Sequence, residues 1–419
     1  MRRAFALPAL ALATTLALSA CSGKATDASG GGGSGGVQVG PGVTEDTITL
    51  GAFTDLTGPF KLLSEGVIAG HEMWRADVNA GGGICGRQIE FNIVDHGYSA
   101  DTAVVKYPQL APDIAGFIHL LGSPINAAID PKITEDELTA VALSWSSFIL
   151  DTPYVIIPGT TYDLEIINGL SYLMEQGMIA DGDTVGHVYI DGEYGENGLL
   201  GTQYFAEQHN LDLRPVKITS RDTDMSDIVT SLRGAGATAI ALTTTPAQTR
   251  SVLNTAQGLR YDVPVVGNNP VFDPTVLDLP APALDNLFIV SSSTTFASDV
   301  PKAQEVAQTF NEQYADAPPN SYVPYGYAIG LIWQQILERA CENGDLTRAG
   351  IQQAFRESDS ITTQNLVADL DFSVPGAPAT REVYISTPDT NVPGGQRTVT
   401  DLFKAPEAET YVAPHQPTN

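Results

Sequence analysis

From residue 47 onward, short apolar runs alternate with longer amphipathic stretches. "ITLGAF" (48–53) reads as a buried strand, and residues 63–79 read as a helix that stops at "GGGICG" (81–86). "QIEFNIVD" (88–95), "IAGFIHLL" (114–121) and "TAVAL" (139–143) continue the strands, with helices between them, one near 126–138. A second series follows "PYVIIP" (153–158). Its strands are "TVGHVYI" (184–190), "LRPVKI" (213–218), "ATAIALTT" (237–244) and "VPVVG" (263–267). Its helices cover 164–176, a stretch from 198, 226–233 and a stretch from 248. Apolar strands alternating with helices predict parallel sheets covered on both faces. Two such series predict an α/β protein with two doubly wound lobes.

The end of the pattern is different. After "NLFIVSSS" (286–293) come helices at 302–314, 322–343 and 347–356, then strands in "LVADLDF" (366–372) and "REVYIS" (381–386). This run is too small for a third α/β domain and fits as the completion of lobes already begun. The chain must then cross between lobes several times and leave a cleft between them. Open α/β sheets take ligands at the carboxyl ends of their strands, so the facing crevice is the expected site.

The first 43 residues follow neither pattern. Met1-Arg2-Arg3 precedes residues 4–18, which are apolar apart from Thr14 and Thr15. The stretch is short for a membrane span and fits a secretory signal over residues 1–20. It ends Leu18-Ser19-Ala20-Cys21, which resembles the bacterial lipobox. That resemblance implies cleavage before Cys21 and a lipid on its thiol; the alternative is an ordinary signal with an incidental cysteine. Residues 21–43 are rich in glycine and serine and poor in apolar side chains, the composition of a disordered tether. Its r.m.s. reach would be about 25–30 Å. The mature protein is expected at the extracytoplasmic face of the cell membrane, anchored rather than inserted.

Charge and cysteine content narrow the partners. Lys and Arg total 21 against 49 Asp and Glu, a formal net charge of −28. Such a surface argues against nucleic acid. Besides Cys21 the chain has Cys85 and Cys341. In an oxidising compartment they read most simply as a disulfide, or else as two unrelated buried thiols. The six histidines (71, 96, 119, 187, 209, 415) show no i, i+4 pairing, so neither a zinc site nor any other metal or cofactor is expected. No G-x-S-x-G elbow or legible nucleophile–base pair supports a hydrolase. His119, at a strand end, reads as a core residue or a support to the cleft.

Four segments, "LGAFTDLTGPF" (50–60), "VNAGGGICGRQIEFNIVD" (78–95), "YIDGEYGENGL" (189–199) and "YVPYGYAIGLI" (322–332), occur in an order and spacing that carry a resemblance. Together they resemble the substrate-binding lipoproteins of branched-chain amino acid ABC transporters, of the type 1 periplasmic binding protein family. The lipobox and tether look like the lipoprotein versions of Gram-positive bacteria. The resemblance implies a clamshell with three hinge crossings that closes over a small solute and passes it to a membrane permease, with no chemistry on the solute. It places lobe one at about 44–160 and 292–372, lobe two at 161–291 and 373–405, and a tail at 406–419. It also brings Cys85 and Cys341 together in lobe one. A monomer is expected, and a ligand-sensing receptor of the same fold is the alternative.

The same resemblance implies site residues. The family holds its ligand with backbone amides and short hydroxyl side chains at strand ends. The matching loops are Leu121-Gly122-Ser123 and Ser144-Trp145-Ser146-Ser147, with Thr160 and Thr161 at the first crossing and Tyr194 in lobe two. Amides and hydroxyls at helix N-termini solvate an anion without a buried countercharge. Each Ser or Thr taken singly also reads as a helix cap or turn residue. Two loops depart from the family pattern: Thr243-Thr244-Thr245 lacks its aromatics, and Gly267-Asn268-Asn269-Pro270 lacks its glutamate for the ligand ammonium. A buried ammonium without a carboxylate is poorly compensated. The expected solute is small and polar: amino acid-like, an amide, urea-like or an organic acid. Thr244, Thr245, Asn268 and Asn269 would cradle it, unless Asp55 or Glu193 supplies the missing charge.

Overall fold

The computed structural model describes residues 36–417; the expected signal sequence, Cys21 and most of the tether lie outside the described residues. Lobe one opens with β1 (Gln38–Val39), β2 (Thr47–Thr54), α1 (Lys61–Ala80), β3 (Gln88–Asp95), α2 (Ala100–Leu110), β4 (Gly116–Leu121), α3 (Ser123–Glu135), β5 (Ala140–Leu143) and β6 (Val155–Ile156). The chain then builds α4 (Tyr162–Glu175), β7 (Thr184–Ile190), α5 (Glu193–His209), β8 (Asp212–Ile218), α6 (Ser226–Gly234), β9 (Ala239–Thr243), α7 (Pro246–Gly258), β10 (Val265–Asn268), α8 (Ala281–Leu284) and β11 (Leu287–Ser291). It continues through α9 (Pro301–Gln313), α10 (Tyr322–Glu342), β12 (Asp345–Leu346), α11 (Arg348–Arg356), β13 (Ser360–Ile361) and β14 (Leu370–Asp371). It ends with β15 (Tyr384–Pro388), β16 (Gln396–Thr398) and α12 (Pro406–Thr410).

Two sheets result. The first is parallel throughout, in the order β3-β2-β4-β5-β6. The second runs β16-β15-β11-β10-β9-β7-β8, and its β15 and β16 are antiparallel, unlike the all-parallel expectation. Alternate residues serve opposite faces, as strand geometry requires. Ile48 and Leu50 pack with Trp74 and Trp333, whereas Phe53, Phe117 and Leu120 pack with Tyr107 and Ile125. In the second sheet Ile240 and Leu242 serve one core, Ala239 and Ala241 the other. The fold is therefore α/β, two doubly wound lobes joined by three crossings: after β6, after β11 and before β15.

Helix α10 returns to lobe one because two glycines allow it to touch α1. A Cβ at Gly70 would lie 2.2 Å from the Val323 carbonyl oxygen, and one at Gly326 would lie 2.2 Å from that of Val67. The same packing sets Cys341, in the last turn of α10, beside Cys85. The two are disulfide-bonded with Cα atoms 6.0 Å apart, across 256 residues of sequence.

Helix α3 runs Ser123–Glu135, three residues earlier than the expected 126–138, and two further boundaries differ for a structural reason. The tether reading fails from Gly36, because β1 pairs in parallel with β12 and Val43 is buried. Val37, Val39 and Val43 offer enough apolar surface for docking, which the surrounding glycines obscure. Helix α5 starts at Glu193, five residues before the expected start. Gly195 and Gly198 look like loop residues but are helical, since Cβ atoms there would strike the Ile190 carbonyl oxygen and Thr243 Oγ1. Their absence lets α5 lie against its own sheet.

At the crossings, Thr160 N–H donates to Ser292 Oγ (3.0 Å), and Thr160 Oγ1 donates to the Glu382 carbonyl (2.7 Å). One threonine thus ties all three crossings together. The C-terminal segment is docked as well: α12 packs on α4, and the Arg381 guanidinium donates to the carbonyls of Ala408 (2.6 Å) and Tyr411 (2.9 Å).

Candidate functional site

The carboxyl ends of the lobe-one strands face the first turns of α4 and α5 and the turn after β10. Between them lies a narrow cavity. Lobe one contributes Phe60, Tyr98, Gly122, Ser123 and Trp145, with Leu63, Leu121 and Leu143 behind them; lobe two contributes Tyr162, Tyr194 and Pro270. The aromatic rings form one connected wall. Phe60 meets Tyr98 (centroids 4.8 Å) and Tyr194 (6.4 Å), Tyr194 meets Tyr162 (4.7 Å), and Tyr162 meets Trp145 (5.8 Å). Tilted and edge-on contacts at these spacings are favourable beyond their buried area.

Polar groups are few. Ser123 Oγ shares a hydrogen bond with Ser144 Oγ (2.7 Å), and Tyr194 OH donates to the Thr244 carbonyl (3.2 Å). Helix α3 begins at Ser123, so the positive end of its backbone dipole reaches the cavity. Burial pushes the Tyr98, Tyr162 and Tyr194 phenols upward, so they remain neutral hydrogen-bonding groups.

Asp55, Glu165 and Asp163 are turned into the protein. Asp55 accepts from the N–H groups of Gly58 (2.5 Å) and Phe60 (2.9 Å), shaping the turn that presents Phe60; burial raises its pKa against those bonds. Glu165, in the first turn of α4, is sealed in. Its Oε2 accepts from Asn268 Nδ2 (2.9 Å) and the Asn269 N–H (3.3 Å), and its Oε1 from Asn269 Nδ2 (3.0 Å). Burial outweighs these bonds and pushes its carboxyl up to about 8. Asp163 Oδ2 accepts from Ser147 Oγ (2.6 Å), Asn197 Nδ2 (3.2 Å) and Tyr411 OH (2.9 Å).

Of the residues expected from sequence, Leu121, Gly122, Ser123 and Tyr194 line the cavity. Ser144 reaches it only through Ser123. Ser146 accepts from the Phe148 N–H, and Ser147 and Thr161 are bonded to Asp163. Thr160 belongs to the crossings. Thr244 Oγ1 is paired with Thr249 Oγ1 (2.9 Å), and Thr245 forms a capping box with Gln248. Asn268 and Asn269 are engaged by Glu165, which approaches their loop from α4 rather than from within it. Glu193 is half-buried in the first turn of α5. His119 is in the lobe-one core, its Nδ1 2.8 Å from Nε2 of His71, and burial keeps both rings neutral.

Sequence reasoning missed Phe60, Leu63, Tyr98, Leu143 and Tyr162 as lining residues. A signal for Tyr98 was present: a bulky aromatic directly after Gly97 at the end of a strand. Among the described residues, no group of His, Cys, Asp and Glu is placed to hold a metal ion, and no helix is long and apolar enough to cross a membrane.

A two-lobed α/β molecule with a cavity between the ends of its sheets has the architecture of a solute receptor. Residues 47–393 match the family described as periplasmic binding protein, and the chain belongs to that family. Among solved structures, it is similar to the fatty acid ABC transporter substrate-binding protein from Thermomonospora curvata: 35% identity, TM-score 0.89, 92% of this chain and 99% of that one covered. It shares its fold with a branched-chain amino acid ABC transporter protein from Thermus thermophilus with bound valine (17% identity, TM-score 0.76, 88% and 99% covered). The fold also matches a leucine-binding protein from Thermotoga maritima (15%, TM-score 0.72, 85% and 99%). No curated protein matches the chain. The protein is a type 1 substrate-binding protein of the ABC transporter kind.

Proposed function

We propose that this protein captures a short- to medium-chain aliphatic carboxylate between its lobes and delivers it to an ABC permease. The observation that carries the reading is the cavity wall: aromatic and aliphatic side chains, with hydroxyls and a helix N-terminus as the polar features. An aliphatic chain gains from burial against that wall, and its carboxylate finds neutral donors at Ser123, Tyr98 and Tyr162. An α-amino acid would also bring an ammonium group. Asp55 and Glu165 are committed to protein donors, so neither is free to compensate that charge, which would fall to the half-buried Glu193 near Tyr98. The 35% identical Thermomonospora protein, named for fatty acids, supports the same class. Residues Leu121, Gly122, Ser123 and Tyr194 are the contacts carried over from the sequence, and Phe60, Tyr98, Trp145 and Tyr162 complete them. The protein binds without catalysing, and Cys21 anchors it by lipid to the outer face of the membrane.

Calorimetry with octanoate and with leucine tests the ligand class. Octanoate is expected to bind and leucine to bind weakly or not at all; sub-micromolar leucine affinity with no octanoate heat sinks the reading. For the anchor, the wild-type protein expressed in a Gram-positive host is expected to partition into detergent, and Cys21→Ala to carry no lipid label.

A further inference from the structure

We infer that His96 is a positioning residue of the cleft, holding the Tyr98 ring in place as part of the ligand-contacting wall. This rests on the reading of the cleft as the ligand site. Tyr98 has φ 54, a left-handed backbone that a bulky residue adopts only where its surroundings impose it. Three neighbours impose it here. The Tyr98 N–H donates to His96 Nδ1 at 3.0 Å. The preceding Gly97 N–H donates to Asp95 Oδ1 at 2.8 Å. Gly122 leaves room for the ring, since a Cβ there would lie 2.8 Å from Tyr98 Cε2. So held, the ring packs on Phe60 and faces the cavity.

His96 is itself immobilised. It is buried, its N–H donates to the Thr54 carbonyl (2.9 Å), and its ring meets Phe53 edge-on at 5.1 Å. Accepting at Nδ1 requires the neutral ring with its proton on Nε2. A second proton would turn Nδ1 into a donor facing the Tyr98 N–H, and the turn would have to open. Asp95 favours that proton; Lys106 of α2 and His119 of β4 oppose it. Burial dominates and holds the ring down at about 4, so the acceptor persists through the neutral range.

The test is a double-mutant cycle with octanoate as probe, at pH 7.5. Tyr98→Ala and His96→Leu are each expected to weaken binding about tenfold, the order set by one buried N–H left unpaired. The double variant is expected to bind no worse than Tyr98→Ala alone, because His96 acts through that ring. His96→Asn, whose amide oxygen accepts in place of Nδ1, should restore near wild-type affinity. A double variant whose loss is the product of the single losses overturns the proposal. A second measurement needs no ligand: the ¹⁵N-tyrosine amide signal of Tyr98 followed from pH 7.5 to about 2.5, on both sides of the expected midpoint. It is expected to move with a midpoint near 4 in the wild type and to stay still in His96→Asn; equal movement in both, or none in either, also overturns it. If the wild type binds no octanoate, the ligand reading has failed while the amide titration still decides the His96–Tyr98 link. Should His96→Leu not fold, the His96→Asn comparison decides alone.

Discussion

Gly122 stands at φ 97 with the Tyr98 ring against it. A methyl group there meets both an unfavourable backbone and an occupied space. Gly122→Ala is expected to cost about 1–3 kcal/mol and to weaken binding. Urea unfolding measures the first effect and calorimetry the second; a variant as stable as wild type would mean that the ring swings aside freely. Glu165 makes a different prediction. Its folded pKa, about 8, is raised above its ordinary 4.5. The stability it contributes is therefore fully present below about pH 4.5 and is lost as pH rises through 8. Wild type should lose stability relative to Glu165→Gln as pH goes from 5 to 9, by up to roughly 1.4 kcal/mol per unit within that window. Parallel melting curves across that range would contradict it. These two residues also mark what the sequence leaves hidden. A serine or threonine at a strand end can cap a helix or touch a ligand with the same local sequence. Its partner decides: Asp163 for Ser147, Thr249 for Thr244, Glu165 for Asn268. The first and last are set by tertiary packing, the second by the start of α7. Gly122 and Ser123 were reached through the loops that the family resemblance supplied, since the helix that begins at Ser123 was expected only near 126.

Elements were read more securely than residues. Helix α10 was expected over 322–343 and is found over Tyr322–Glu342, because its apolar face is long and its ends are polar. The parallel strands were legible for a similar reason, as short runs of Val, Ile and Leu buried on both faces. Helix α5 was misjudged at its start because Gly195 and Gly198 serve packing rather than a turn. Strand β1 was missed because its partner, β12, lies more than three hundred residues away. The disulfide joins elements of this kind. It fastens the turn after α1 to the end of α10, and removing it as Cys85→Ser with Cys341→Ser is expected to cost about 2–5 kcal/mol. Calorimetric melting of oxidised wild type against the double variant checks it. A change under about 1 kcal/mol would mean that the α1–α10 packing suffices alone.

At the scale of the whole molecule, net charge and hinge act together. A charge of −28 repels an anion at distance, whereas the cavity offers it neutral donors. Octanoate capture is therefore expected to quicken with added salt, as screening shortens the reach of that repulsion, while the dissociation rate changes less. Stopped-flow measurements at about 10 and 200 mM salt would decide this, and a capture rate that falls with salt would imply a cationic entry that the cavity wall does not contain. Both lobes line the cavity, and Thr160 bonds to the second and third crossings, with Asn168 donating to the Arg381 carbonyl at the third.

The covalent loop between Cys85 and Cys341 has a consequence in time. Exported from its N-terminus, the chain presents Cys85 early, and nearly all of lobe two must follow before Cys341 emerges. An oxidant that reaches Cys85 first finds Cys341, its native partner, still missing. The correct bond can form only once the second half of lobe one has arrived and α10 has docked on α1. Oxidation then works as a seal applied after assembly. A host whose catalysts oxidise the nascent chain too soon would accumulate mixed disulfides at Cys85 and secrete little folded protein.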